Sequence, residues 1–177
     1  MMKKTPPFYI ITGPPGSGKT TLIAHLQAEV STVPEPARRV LAEQRRIGGT
    51  ATGEQDPEAF ISEMLALSVQ DYDTARGPTL FDRGLPDLLA FTAYYQLPDA
   101  DIRQAIEARR YHPTVFVLPS WEAIYRQDDE RRLDFDGARA FGELTQTAYL
   151  EAGYKLVEVP KVSLAGRADF ILDRMDA

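Results

Sequence analysis

Five short apolar runs punctuate the chain: Phe8-Tyr9-Ile10-Ile11, Ser31-Thr32-Val33, Thr79-Leu80-Phe81, Val115-Phe116-Val117-Leu118 and Lys155-Leu156-Val157-Glu158-Val159. Runs of this length, bounded by Gly and Pro, are too short for helices and read as buried strands. Between them apolar residues recur every three or four positions, the period of an amphipathic helix. Leu22, Ile23, Leu26 and Val30 mark the first such helix, and a second pattern resumes at Ala37-Arg38-Arg39-Val40-Leu41. A long stripe of Phe60, Ile61, Met64, Leu65, Ser68, Val69 and Tyr72 opens at the cap pair Asp56-Pro57 and stops at Gly77-Pro78. It reads as core, with no chemistry assigned. Leu85 to Leu97 and Asp101 to Arg110 predict two covering helices; Ala138, Phe141, Leu144, Ala148 and Tyr149 predict another that ends near Gly153. Ser163 caps a last one packed through Leu164, Ala168, Ile171 and Leu172. Strand and helix alternate, which predicts an α/β fold of three layers: a parallel five-stranded sheet with right-handed crossovers, flanked by helices. The strands should end within a few residues of Ile11, Val33, Phe81, Leu118 and Val159.

A length of 177 residues fits a single domain with a real core. The net charge of −6 argues against broad nucleic-acid affinity. There is no cysteine, so disulfides, thiolate catalysis and cysteine metal sites are excluded. Lys3 and Lys4 precede an apolar run too short for a signal-peptide core, and no stretch approaches the apolar length of a membrane span. A cytoplasmic protein is the default expectation.

The most informative stretch lies between the first strand and the first helix. Gly13-Pro14-Pro15-Gly16-Ser17-Gly18-Lys19-Thr20 fits G-x-x-x-x-G-K-[ST], a P-loop. Its glycines let the backbone curl around a polyphosphate, N–H groups from about Gly16 to Thr21 point inward, and the helix adds its positive N-terminal end. Pro14 and Pro15 donate no N–H and stiffen the early loop. Lys19 is expected to reach the β- and γ-phosphates, and the Thr20 hydroxyl to ligate Mg²⁺.

In an open parallel sheet, ligands bind at the carboxyl ends of the strands. Glu35 stands at the end of the second strand, held extended by Pro36; it is either a reactive carboxylate or a helix-dipole acid. Arg38 and Arg39 read as a solvated face. Asp82 ends the third strand, where a P-loop protein holds Mg²⁺, although a cap for the Pro86 helix is the simpler alternative. Arg83 could contact phosphate or pair with Asp87. His112 reads as structural. Gly48 to Gly53 reads as a mobile loop. The charged run from Arg126 through Arg131 and Arg132 to Asp136 is either solvated or a lid, spanning about 120–137, whose arginines reach the transferring phosphate. Pro160-Lys161-Val162 occupies the loop where a nucleotide base is usually held, and the absence of the Asn-Lys-x-Asp guanine signature favours adenine.

The P-loop, Glu35-Pro36-Ala37-Arg38, Phe81-Asp82-Arg83-Gly84-x-Pro86-Asp87 and Gly153-Tyr154 running into Val159-Pro160 together resemble the small predicted-ATPase family related to the ribosylnicotinamide kinase domain. Glu35-Pro36 and Asp82-Arg83 are also similar to motifs of deoxynucleoside and thymidylate kinases. The resemblance implies strand order 2-3-1-4-5, ATP as phosphoryl donor with Mg²⁺, and a small-molecule acceptor such as a nucleoside or riboside. Carried over, Glu35 becomes the base that takes the acceptor's proton, Asp82 a metal ligand and Arg83 a phosphate or substrate contact. A motor of the AAA type would need a second acid after the strand-end Asp, and Arg83 stands there instead. The alternative to a kinase is a nucleotide-dependent switch or slow NTPase that binds a protein or lipid partner.

Overall fold

The structure is a computed structural model that describes residues 7–125 and 133–175. Five strands, β1 (Phe8–Thr12), β2 (Ser31–Val33), β3 (Thr79–Asp82), β4 (Thr114–Val117) and β5 (Lys155–Glu158), form one parallel sheet in the order β2-β3-β1-β4-β5. The fold is the expected three-layer one, and every strand ends within one residue of its expected position. Among the described residues seven α-helices accompany the strands: α1 (Lys19–Leu26), α2 (Pro36–Ile47), α3 (Pro57–Thr74), α4 (Asp87–Tyr95), α5 (Ala100–Ala108), α6 (Phe135–Glu151) and α7 (Leu164–Met175).

Both sheet faces are covered, which is why the strands are apolar throughout rather than alternating. Tyr9, Ile11, Leu80, Phe116 and Leu118 face α1 and α7, whereas Ile10, Phe81, Val115 and Val117 face the layer built from α2 to α6. The predicted caps hold: Asp56 accepts from Ala59 N at 2.9 Å and Ser163 Oγ from Gly166 N at 3.1 Å. Leu144, one of the apolar positions that mark α6 in the sequence, is exposed. His112 is structural, as expected: its Nδ1 accepts from Thr114 N at 3.1 Å and its ring stacks on Tyr9 at 4.1 Å.

The topology places the turn after central β1 beside β3 on one side and β4 on the other. Everything at the carboxyl ends of the strands therefore converges on the P-loop. Among the described residues no helix is long and apolar enough to cross a membrane. The lid arginines Arg126, Arg131 and Arg132 lie outside the described residues; Phe135 to Gly137, within the expected lid, are the first turn of α6.

Candidate functional site

The loop between β1 and α1 turns where its glycines sit. Gly16 and Gly18 have φ of 77° and 84°, conformations that a side chain would strain. Space matters as well: a Cβ on Gly13 would come within 2.9 Å of the Leu118 carbonyl, and one on Gly16 would run into the ring of Tyr125. Pro14 does more than stiffen the loop. It is the seat of α6, since a Cβ on Gly142 would lie 2.9 Å from its own Cβ. Ser17 Oγ is buried beside Gly13 with no partner among the described residues. Thr20 and Thr21, in the first turn of α1, are exposed.

Lys19 is almost wholly buried, and its Nζ lies 2.5 Å from Asp82 Oδ1 and 3.3 Å from Glu35 Oε2. Glu35 thus points toward the P-loop, although β2 is separated from β1 by β3. It also accepts from Arg83 Nε at 3.3 Å and pairs with Arg38 at 3.4 Å. Burial alone would raise its pKa, but Lys19, Arg83 and Arg38 together bring it down to about 2. Asp82 goes the other way: burial raises it, Lys19 opposes and the neighbouring charge of Glu35 raises it further. The two carboxylates share one ammonium and are pushed apart in acidity, as close pairs are. A polyphosphate in the loop would compete with both for Lys19.

Arg83 has φ of 68°, unusual for a long side chain and worth about 1–3 kcal/mol of strain. The turn is pinned by Arg83 N donating to Ile11 O at 2.9 Å, and it aims the guanidinium across the strand ends. Burial alone would lower its pKa, but Glu35, Asp87 and Asp82 reverse this and keep it charged. Behind it stands Asp87. Its Oδ1 accepts from Thr12 Oγ1 at 2.7 Å and Arg83 Nη1 at 2.9 Å, while its Oδ2 accepts from Gly84 N at 2.9 Å and from the Tyr149 hydroxyl. The sequence offered pairing with Asp87 as an alternative to a site role for Arg83. The structure shows the pairing with Asp87, and the same guanidinium also reaches Glu35. Asp87→Asn keeps the shape but removes the charge that balances Arg83, and turns one acceptor into a donor facing other donors. A loss of about 1–3 kcal/mol is expected, the scale of leaving buried partners unsatisfied, read as a lowered urea midpoint; an unchanged midpoint would make Asp87 dispensable.

A cavity of about 850 Å³ opens in front of these residues. Lys19, Glu35 and Arg83 line it together with Phe60, Phe91, Tyr95 and Phe141, and Arg38, Gln44 and Arg45 contribute from α2. Phe60 and Phe91 meet edge to face at 6.0 Å, and Phe91 and Phe141 at 4.9 Å. Three expectations change here. Phe60 belongs to the stripe read purely as core, yet its ring also faces the cavity. Arg38 is only partly solvated and bonds Glu35; Arg39 pairs with Asp71 at 2.5 Å. The segment from Gly48 to Gly53, expected to be a mobile loop, is anchored: Gln44 Oε1 accepts from Ala51 N at 3.1 Å, its carbonyl accepts from Gly49 N at 2.9 Å, and Ala51 is buried.

Among the described residues no three acidic or histidine side chains cluster to hold a metal by themselves. Mg²⁺ does not require that, since it keeps waters and takes phosphate oxygens alongside one or two protein ligands. The all-oxygen pair of Thr20 and Asp82 fits such an ion, provided that Lys19 shifts from Asp82 toward the phosphates.

Residues 8–167 match the family model described as AAA domain (AAA_28), and the chain belongs to that family. No curated protein matches the sequence. Solved structures similar to it include several kinases. Deoxyadenosine kinase from M. mycoides with bound dATP is 13% identical, with a TM-score of 0.67 over 96% of this chain and 99% of that one. Shikimate kinase from Acinetobacter baumannii, in complex with shikimate, is 18% identical at 0.61 over 97% and 93%. Thymidylate kinase from Candida albicans is 15% identical at 0.59 over 97% and 92%. At these identities the likeness establishes the kinase-like P-loop fold, and the chemistry must come from the residues.

Proposed function

We propose that this protein is a small-molecule kinase that passes the γ-phosphoryl group of a purine nucleoside triphosphate to a hydroxyl on a nucleoside-like metabolite. The observation that carries it is Glu35, a carboxylate set beside Lys19 in a cavity that aromatic side chains also line. The cavity takes in the loop itself and also the rings of Phe60, Phe91, Tyr95 and Phe141, a lining that phosphates alone do not require. The acceptor hydroxyl would lie between Glu35 and the γ-phosphorus; its oxygen forms the new P–O bond as the bond to the β–γ bridging oxygen breaks, and its proton goes to Glu35. Arg83 and Lys19 would neutralise charge on the transferring and leaving oxygens. Thr20 and Asp82 would hold Mg²⁺, which would supply positive charge to offset that of the phosphates. The rings of Phe60, Phe91, Tyr95 and Phe141 suit a flat, ring-bearing acceptor body better than a small polyhydroxylated acid.

A panel of nucleosides and ribosides, each tested for nucleoside diphosphate release with ATP and with GTP, checks this reading. Release that is slow alone and accelerates strongly with one acceptor is expected. Turnover indifferent to every hydroxyl compound would favour the switch or slow NTPase reading.

The metal assignment makes a separate prediction. Asp82→Asn should raise the Mg²⁺ concentration needed for half-maximal turnover while changing nucleotide binding little, because the loop amides still hold the phosphates. Titration of Mg²⁺ against both proteins decides it; superimposable curves would remove Asp82 from the metal site.

A further inference from the structure

On the other side of the P-loop from Glu35 lies a second group of side chains that the kinase reading leaves unused. Trp121 follows β4, and Arg167 sits one turn into α7, just beyond the β5 loop expected to hold the base. The Arg167 guanidinium carbon is 5.4 Å from the centre of the half-buried Trp121 ring, and a Cβ on Gly18 would lie 3.1 Å from Arg167 Nη1. Arg167 is 9% exposed, and neither Nε nor Nη1 has a hydrogen-bond partner among the described residues. Burial also pulls its pKa down. A buried cation whose donors go unmet is costly, and nothing in the packing of α7 calls for one: the helix buries Ala168 and Ile171 beside it.

The ligand chemistry follows from the pair. An indole offers a face to a flat ring and has no use for a phosphate. A guanidinium offers donors only, so the edge it meets must carry acceptors. Lys19 leans toward Asp82 and Glu35 on the β3 side, which sets the terminal phosphates there and turns the nucleoside end of a bound nucleotide toward β4 and β5.

We infer that Trp121 and Arg167 hold the base of the donor nucleotide and select guanine over adenine. Guanine presents two adjacent acceptors, O6 and N7, that a guanidinium meets with two parallel bonds. Adenine presents N7 beside an amino donor, which meets the arginine donor to donor. This departs from the expectation of ATP drawn from the missing Asn-Lys-x-Asp signature: that signature reads the base with a carboxylate, and an arginine reads a different edge. The inference rests on the P-loop as a polyphosphate site.

Equilibrium binding of GTP, ITP, ATP and inorganic tripolyphosphate to the full chain with Mg²⁺ tests it. ITP keeps O6 and N7 but lacks the 2-amino group. GTP and ITP should bind at least about fivefold more tightly than ATP, the low end of what one bidentate contact discriminates. Arg167→Met should erase that difference and leave tripolyphosphate binding unchanged. Equal binding of ATP and GTP in the unmodified protein overturns the inference without any variant. So does ITP that behaves like ATP, a guanine preference that survives Arg167→Met, or an equal loss of tripolyphosphate binding in that variant. If the unmodified protein binds neither tripolyphosphate nor any nucleotide, the P-loop reading itself falls, a result distinct from loss of base preference.

Discussion

Lys19→Ala should lower phosphoryl transfer by about 10²- to 10³-fold, the loss seen when one preorganised electrostatic contact is removed. The ammonium touches both Asp82 and Glu35, so its removal acts in two ways. It takes away the positive charge that stabilises the β–γ bridge as electrons move onto it. It also leaves two buried carboxylates facing each other, and Asp82, already raised by burial and by the charge of Glu35, loses the ammonium that opposes that rise. The second effect blunts metal binding as well, so added Mg²⁺ should not rescue the variant. A thermal melt in parallel separates lost chemistry from lost fold. Turnover within a few-fold of the parent, in a folded variant, would remove the P-loop lysine from the mechanism.

Much of this site was legible in the chain because it is local. The P-loop, the strand-end carboxylate Asp82 and the Glu35-Pro36 turn each lie within a few residues of a strand end, and parallel topology brings all strand ends to one edge. What could not be read is held by contacts far apart in sequence. Tyr149 and Asp87 are 62 residues apart, and nothing on α6 distinguishes Tyr149 from any other apolar-stripe residue until its hydroxyl is found on Asp87. Phe60 has the same spacing as Met64, yet its ring reaches the cavity while Met64 stays in the core. Helical period gives a face, and one face can serve two neighbours. Arg167 did leave a signal: a lone arginine between Leu164 and Ala168 on a predicted apolar face, a position where a charge is unexpected. The Gly48 to Gly53 segment misled because glycine-rich composition suggests freedom, whereas Gln44 on the preceding helix ties it down.

The Glu35→Gln variant should transfer phosphoryl groups about 10²- to 10⁴-fold more slowly than the parent, the worth of a positioned general base, while nucleotide affinity changes little. Glutamine keeps the size and one acceptor oxygen but cannot take the proton. A carboxylate with a pKa of about 2 looks too weak for the task, and two considerations answer this. The low value is set by Lys19, Arg83 and Arg38 acting against burial, and phosphates that draw Lys19 and Arg83 toward themselves would remove part of that influence and add negative charge nearby. Both changes raise the pKa. In a loose transition state, moreover, the acceptor loses its proton late, so orientation counts for more than basicity. The pH profile carries the sign. Because kcat/KM reports the free protein, protonation of Glu35 should not depress it until the pH approaches about 2. The protein's own share of an acid limb above that should come from a carboxylate held higher, and Asp82 is raised. That share should therefore survive in Glu35→Gln and vanish in Asp82→Asn. Transfer undiminished in Glu35→Gln, measured with the acceptor that accelerates the parent, would return Glu35 to the role of an acid at the start of α2, and the cavity would need another base.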